Sequence, residues 1–229
     1  MEIVFILSQP AVPENIGASA RALKTMGFSQ LRLINTTAHT DKQARILAHG
    51  STELLRNALL FDDLGSATAD CDLVIGTSAK PRHHRETLYP PTQLKELIQS
   101  QQLQRVAIVF GSEKHGLSNS ELECCDILTS IPLATSYPSL NLSQAVMLYA
   151  YELSTMPLPA VDNNQYSPTT TDGQLKSLQR KLAVQAEDIG ISSNDKVFVW
   201  AKEKVATLGQ REIGFLHFIN DKITNNKKQ

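Results

Sequence analysis

Short apolar runs alternate with stretches of helical spacing over the first two thirds of the chain. The runs fall at residues 3–7, 31–34, 73–75 and 106–110, with a weaker one at 127–133. Each is rich in Val, Ile and Leu and bounded by turn residues, the pattern of a strand covered on both faces. Between them, residues 15–26 and 92–99 space their apolar side chains as helices do. Strands alternating with helices predict an α/β fold with a Rossmann-like parallel sheet.

The pattern breaks at residue 157. Residues 157–173 are rich in Pro, Asn, Ser and Thr and read as an exposed linker. Beyond it, Leu175, Leu178, Leu182 and Ala186 recur at spacings of three and four, which predicts two or three amphipathic helices before a polar tail. The expected organisation is a main domain over 1–156, a linker over 157–173 and a helical C-terminal extension over 174–229. A chain of 229 residues suits one main domain with an appendage.

Composition narrows the class. With 41% hydrophobic and 20% charged residues, the chain can bury a sizeable core, and wholesale disorder is excluded. No apolar run approaches the ~20 residues of a membrane helix. Glu2 stands where a secretory signal would be basic, so no such signal is expected. Cys71, Cys124 and Cys125 are odd in number and lack C-x-x-C spacing, which speaks against a disulfide framework or a zinc site and for a reducing, cytoplasmic setting.

Lys and Arg number 22 against 23 Asp and Glu, a net charge of −1, so any contact with nucleic acid must come from a local patch. Residues 161–229 hold ten basic and eight acidic residues, giving +2 and leaving −3 on the rest.

Familiar catalytic signatures are missing. There is no phosphate-loop or G-x-G-x-x-G sequence, no G-x-S-x-G elbow and no H-E-x-x-H pair, so no metal site is expected. Four loops remain at the ends of predicted strands, where open α/β sheets bind ligands. The first holds Asn15, Gly17 and Arg21. Asn15 is a candidate helix cap, Gly17, Arg21 and Lys24 share a stripe, and a guanidinium there could bind phosphate. The second runs from Gly111 through Glu113 to Gly116, followed by Ser118 and Glu121 as a capping box. The third is a polar loop ending at Asn141, which with Gln144 again fits a capping box. The fourth places Thr77, Ser78 and Ala79 after a strand, followed by Lys80, Arg82 and Arg85, the densest basic cluster of the chain. Such a run is either a solvated loop or a polyanion contact.

Together these residues resemble the SpoU (TrmH-like) branch of the SPOUT RNA methyltransferases. Its N-x-G-x-x-x-R motif matches Asn15, Gly17 and Arg21. Its F-G-x-E-x-x-G-L motif matches residues 110–117, and its S-L-N-L-S-x-A motif matches residues 139–145. All three occur in order and span nearly the whole first domain. Residues 18–27 and 76–79 are most similar to the tRNA-methylating members. A departure is Lys80, where those members commonly carry Arg; Lys cannot make the same bidentate phosphate contact.

The resemblance implies a sheet domain closed by a C-terminal trefoil knot, a homodimer, and transfer of methyl from S-adenosyl-L-methionine to a ribose 2′-oxygen in tRNA or rRNA. It implies a cofactor pocket of Thr77, Ser78, Ala79, Gly111, Ile131, Ser139 and Leu140. Arg21 and Asn15 of one subunit would approach the pocket of the other, and Lys80, Arg82 and Arg85 would meet RNA. No DNA or membrane partner is implied.

The chemistry assigns roles. A ribose hydroxyl is a poor nucleophile until it loses its proton. Arginine does not readily give up its own proton, so Arg21 is expected to bind the adjacent phosphate and stabilise the developing alkoxide. Ser139 and Asn141 would orient the hydroxyl, and Glu113 would order the loop or Arg21. The alternatives are a catalytically silent dimeric RNA- or nucleotide-binding module, or an α/β enzyme acting on a small nucleotide.

Overall fold

The computed structural model describes residues 1–79, 87–135, 140–156 and 173–226. Six strands form one all-parallel sheet: β1 (Glu2–Ser8), β2 (Leu31–Ile34), β3 (Leu59–Phe61), β4 (Leu73–Thr77), β5 (Arg105–Phe110) and β6 (Ile127–Thr129). Their order is β3-β2-β1-β5-β4-β6. Neighbours register directly, with Leu7 beside Leu33 on one side and Phe110 on the other.

The continuous apolar runs follow from this layering. Successive strand residues point to opposite faces, and both faces are covered. Ile3, Phe5 and Leu7, with Leu73, Ile75, Val106, Ile108 and Phe110, pack under α1 (Pro13–Thr25), α2 (Lys42–Ala48), α3 (Thr52–Arg56), α5 (Pro91–Gln99) and α7 (Leu142–Ser154). Val4, Ile6, Val74, Ala107 and Val109 face α4 (Leu64–Thr68) and α6 (Asn119–Cys124). Arg32, inside a strand and buried, is held by a two-pronged pair with Asp70 at 2.6 and 2.8 Å and by the Ala67 carbonyl at 2.7 Å.

Three expectations need correction. The weak run at 127–133 is a strand only as far as Thr129. β3 escaped notice because it is a three-residue edge strand whose Leu59 and Leu60 are exposed, so its short run carries no burial pattern. Gly17 shares a helix stripe with Arg21 and Lys24 but not their exposure. It is buried against α2, where a Cβ would stand 2.1 Å from the Ala44 carbonyl oxygen. The small residue there admits another backbone, not a ligand.

The extension is helical as expected: α8 (Gln174–Asp188), α9 (Lys196–Ala206) and α10 (Gln210–Asn226). Leu175, Leu178, Val205, Ala206 and Ile213 join the same core as α1 and α7. Asp126, fully buried at the start of β6, anchors it. Its carboxylate accepts the Val74 amide at 2.8 Å, Gln179 at 3.1 Å and Lys176 at 3.2 Å, with Lys202 at 3.6 Å. Most of the predicted linker, residues 157–172, lies outside the described residues, as does the 136–139 segment with any threading of a knot through it.

Candidate functional site

The sheet order sets the site. From β1 the chain moves outward to β2, whereas β5 and β4 lie on β1's other side, so the direction reverses between β1 and β5. A crevice at the carboxyl ends of the strands opens at such a reversal. The loop after β1 carries Ala11 and Val12 and leads into the first turn of α1 with Asn15, and the loop after β5 carries Glu113.

Glu113 joins the two loops. Its carboxylate accepts the Ala11 amide at 3.0 Å, the Val12 amide at 3.2 Å and Asn15 Nδ2 at 2.9 Å. Partial burial alone would raise this carboxyl, but the three donors outweigh it and hold it below the ordinary glutamate value. Glu113 therefore stays ionised near neutrality, an acceptor that orders a loop. It does not engage Arg21.

Asn15 does not cap its helix. α1 begins two residues earlier at Pro13, which suits a first-turn proline, and Asn15 is buried in that turn. Its amide faces Glu113 on one side and accepts Asn141 Nδ2 at 2.8 Å on the other. Asn141 caps α7 as expected, accepting the Ser143 amide at 2.9 Å while its own amide donates to Gln144 at 3.1 Å. Glu113, Asn15 and Asn141 thus form one hydrogen-bonded series from three distant segments. Each asparagine amide has two N–H donors and uses one here, so each keeps a donor; Asn141 Oδ1 already accepts the Ser143 amide and hydroxyl, whereas Asn15 Oδ1 accepts one bond and keeps acceptor capacity. What this series can offer a ligand is a hydrogen bond to oxygen.

The candidate cofactor residues sit next door. β5, β4 and β6 are adjacent, so their carboxyl ends lie side by side. Thr77 is beside Thr129, and its hydroxyl donates to the Val109 carbonyl at 2.9 Å; the Ser78 amide donates to the Thr129 carbonyl at 2.9 Å. Gly111 is required by close approach: a Cβ there would stand 2.0 Å from the Gly116 carbonyl carbon, where the loop folds back. Ile131 and Leu140 are half-buried, and Ala79 is exposed at the end of the row. Hydroxyls, backbone groups and two aliphatic side chains, with no cation among the described residues of the row, suit an uncharged purine nucleoside better than a phosphate. Ser139, Lys80, Arg82 and Arg85 lie outside the described residues.

Arg21 is elsewhere. It is six residues beyond Asn15 on α1, ~9 Å along the axis, and exposed while Asn15 is buried. Its guanidinium makes no hydrogen bond or ion pair among the described residues. On neighbouring α7, Met147, Leu148 and Tyr151 are also exposed. Among the described residues no group of His, Cys, Asp and Glu could hold a metal ion.

Two contributors went unforeseen. Tyr149, 1% exposed, meets Thr129 Oγ1 at 3.0 Å beneath the β6 end, and burial pushes its phenol well above the usual range. Ser8 donates to the capping glutamate Glu121. Neither belongs to a local motif; only the sheet order joins them to the site.

An open all-parallel sheet with its polar series at the strand reversal places this protein among α/β proteins that bind ligands at the carboxyl ends of strands. Its particular kind follows from comparison. The SpoU rRNA Methylase family model matches residues 2–151, and the chain belongs to that family. A second model, the C-terminal domain of tRNA/rRNA methyltransferase LasT, matches residues 172–226. The chain is 37% identical over 229 residues to the uncharacterized tRNA/rRNA methyltransferase LasT of Escherichia coli, covering 99% of each. It is 40% identical over 152 residues to the tRNA (cytidine/uridine-2′-O-)-methyltransferase TrmJ of Photorhabdus laumondii, covering 66% of this chain and 63% of that one. A solved structure of "a probable methylase family protein" from Haemophilus influenzae superposes with TM-score 0.65 at 33% identity, covering 99% of this chain and 97% of the other.

Proposed function

We propose that this protein is an S-adenosyl-L-methionine-dependent RNA ribose 2′-O-methyltransferase, acting on tRNA or rRNA as a homodimer in the cytoplasm. Residues 1–156 form the methyltransferase domain, 157–173 the linker and 174–229 the extension. The observation that carries the reading is the Glu113–Asn15–Asn141 series, which gathers all three family motifs at the strand reversal beside the row of cofactor residues.

When bound, the cofactor supplies an electrophilic methyl on a sulfonium sulfur. Thr77, Ser78, Ala79, Gly111, Ile131, Ser139 and Leu140 hold it. Asn141, with a donor to spare, hydrogen-bonds the ribose oxygen; Ser139 orients the same hydroxyl. Arg21 grips the adjacent phosphate and stabilises negative charge on that oxygen as its proton passes to water. Asn15 and Glu113 position Asn141. Lys80, Arg82 and Arg85 meet the RNA backbone.

Arg21 supports the homodimer. It is exposed and six residues along α1 from the buried Asn15, which accords with service to a site in a second copy, and the exposed Met147, Leu148 and Tyr151 on the neighbouring α7 accord with an apolar seam. Free Cys71, Cys124 and Cys125 accord with a reducing compartment.

The test pairs calorimetry with S-adenosyl-L-methionine and tritium transfer from labelled cofactor to tRNA and rRNA lacking the modification. Binding with incorporation that mapping places at a ribose 2′-oxygen is the expected result. Binding without incorporation on any RNA leaves the silent module, and absent binding removes the methyltransferase reading. Mixing R21A with N141A protein then tests the shared site. Recovery of activity by the mixture is expected, because one hybrid site regains both groups; a mixture as inactive as its parents overturns the assignment.

A further inference from the structure

α10 presents two opposite faces. Ile213, Leu216, His217 and Asn220 turn toward α8, with the Asn220 amide exchanging hydrogen bonds with Gln185 at 3.1 Å and His217 Nε2 meeting the Gln174 carbonyl at 2.9 Å. On the far side, Arg211, Phe215, Phe218 and Lys222 recur at spacings of four, three and four, one stripe of a helix. Phe215 and Phe218 are 56% and 63% exposed. Each ring carries a cation: the Arg211 guanidinium lies 5.6 Å from the Phe215 centroid and the Lys222 ammonium 5.6 Å from that of Phe218.

The preceding helix repeats the arrangement. Trp200, 60% exposed, stands on α9 between Lys196 and Lys204, each four residues away and exposed. The acids of both helices are occupied elsewhere. Glu203 is buried, Glu212 accepts the Gly209 amide at 2.7 Å, and Asp221 accepts Lys181 at 2.6 Å.

Exposed aromatics at the centre of a stripe, with unopposed cations at both ends, are complementary to a strand that offers flat rings and regular negative charge. We infer that the α10 stripe of Arg211, Phe215, Phe218 and Lys222 is a stacking surface for unpaired bases of the RNA substrate, with Arg211 and Lys222 on the flanking phosphates. Base–aromatic stacking is sequence-tolerant, so the surface contributes affinity and leaves the choice of nucleotide to the sheet domain. The inference rests on the RNA-methylating reading for its substrate. An apolar protein partner would gain from the rings but needs no cation beside each.

The test titrates full-length protein into fluorescein-labelled tRNA lacking the modification and follows anisotropy. The F215L/F218L variant keeps apolar bulk while losing the aromatic faces, so its tRNA Kd is expected to rise at least ~10-fold, with S-adenosyl-L-methionine affinity unchanged. R211Q/K222Q should flatten the slope of log K against log salt by about 1.4, two contacts at about 0.7 each. A Kd within twofold of wild type for F215L/F218L overturns the inference, as does wild-type protein that binds no tRNA. So does a fall from dimer to monomer on sedimentation of F215S/F218S, which would make the stripe a contact between copies. Wild type that binds tRNA in this way yet transfers no methyl sinks the enzymatic reading and leaves the surface. Methyl transfer with variants that bind normally does the reverse.

Discussion

Asn15 and Asn141, 126 positions apart in sequence, are joined side chain to side chain by a hydrogen bond of 2.8 Å. One sits in the first turn of α1 and the other caps α7, so the bond ties the start of the sheet domain to its last helix. The pair should behave as a unit. N141A loses a helix cap worth about 1 kcal/mol, and each single variant strips the other residue of a partner. A double-mutant cycle by urea denaturation is expected to show about 0.5–1.5 kcal/mol of coupling between N15A and N141A. Strict additivity would mean the contact is energetically idle.

Glu113 is held ionised by three N–H donors, and its carboxyl lies below the ordinary range. Its titration should therefore leave no mark on methyl transfer above about pH 5. E113Q, which puts an NH2 donor where one of two acceptor oxygens stood, sets donor against donor at one of its three partners and is expected to lower the rate at least ~10-fold while its pH profile runs parallel to wild type. Loss of the acid-side limb from that profile would instead make Glu113 the proton acceptor.

Gly111 lies where the returning loop leaves no room for a side chain. G111A forces the 111–117 turn outward and is expected to cost about 1–3 kcal/mol. Calorimetry should show a greater loss of cofactor affinity than of stability, because the turn borders the proposed cofactor row.

Asp70 links two strands through Arg32 and Arg105. Burial would raise its carboxyl, but the hydrogen bond and charge of Arg32, with the charge of Arg105, bring it down to about 2. A carboxyl depressed in the folded state stabilises above its unfolded value, about 3.9, and loses that contribution as pH falls through about 2. Wild type should therefore shed stability between about pH 4 and pH 2. D70N, less stable at neutral pH, should follow a flatter course across that window in thermal melts.

The core of the sheet was legible because both faces are covered. Every residue is buried from Val4 to Leu7 in β1, from Leu31 to Ile34 in β2, from Leu73 to Gly76 in β4 and from Val106 to Phe110 in β5, so no alternation obscures them. β3 was not legible, since an exposed edge strand of three residues has no such signature. At the site, the motifs named Asn15, Glu113 and Asn141 individually. Their hydrogen-bonded order was hidden, because it depends on β1 and β5 being neighbours. Asn15 misled most: an asparagine before an apolar periodic stretch reads as a cap, whereas Pro13 had already begun the helix. The C-terminal helices were visible by period, but the stripe on α10 was not, because periodicity registers apolar positions without saying which face lies inward.

The carboxylate of Asp126 sits under the sheet while its cationic partners Lys176 and Lys202 belong to α8 and α9. A shortened chain ending before α8 would take away both cations and the Gln179 donor, leaving the carboxylate one of its four described partners, the Val74 amide, so cutting off the tail also unmakes a polar joint of the sheet domain itself.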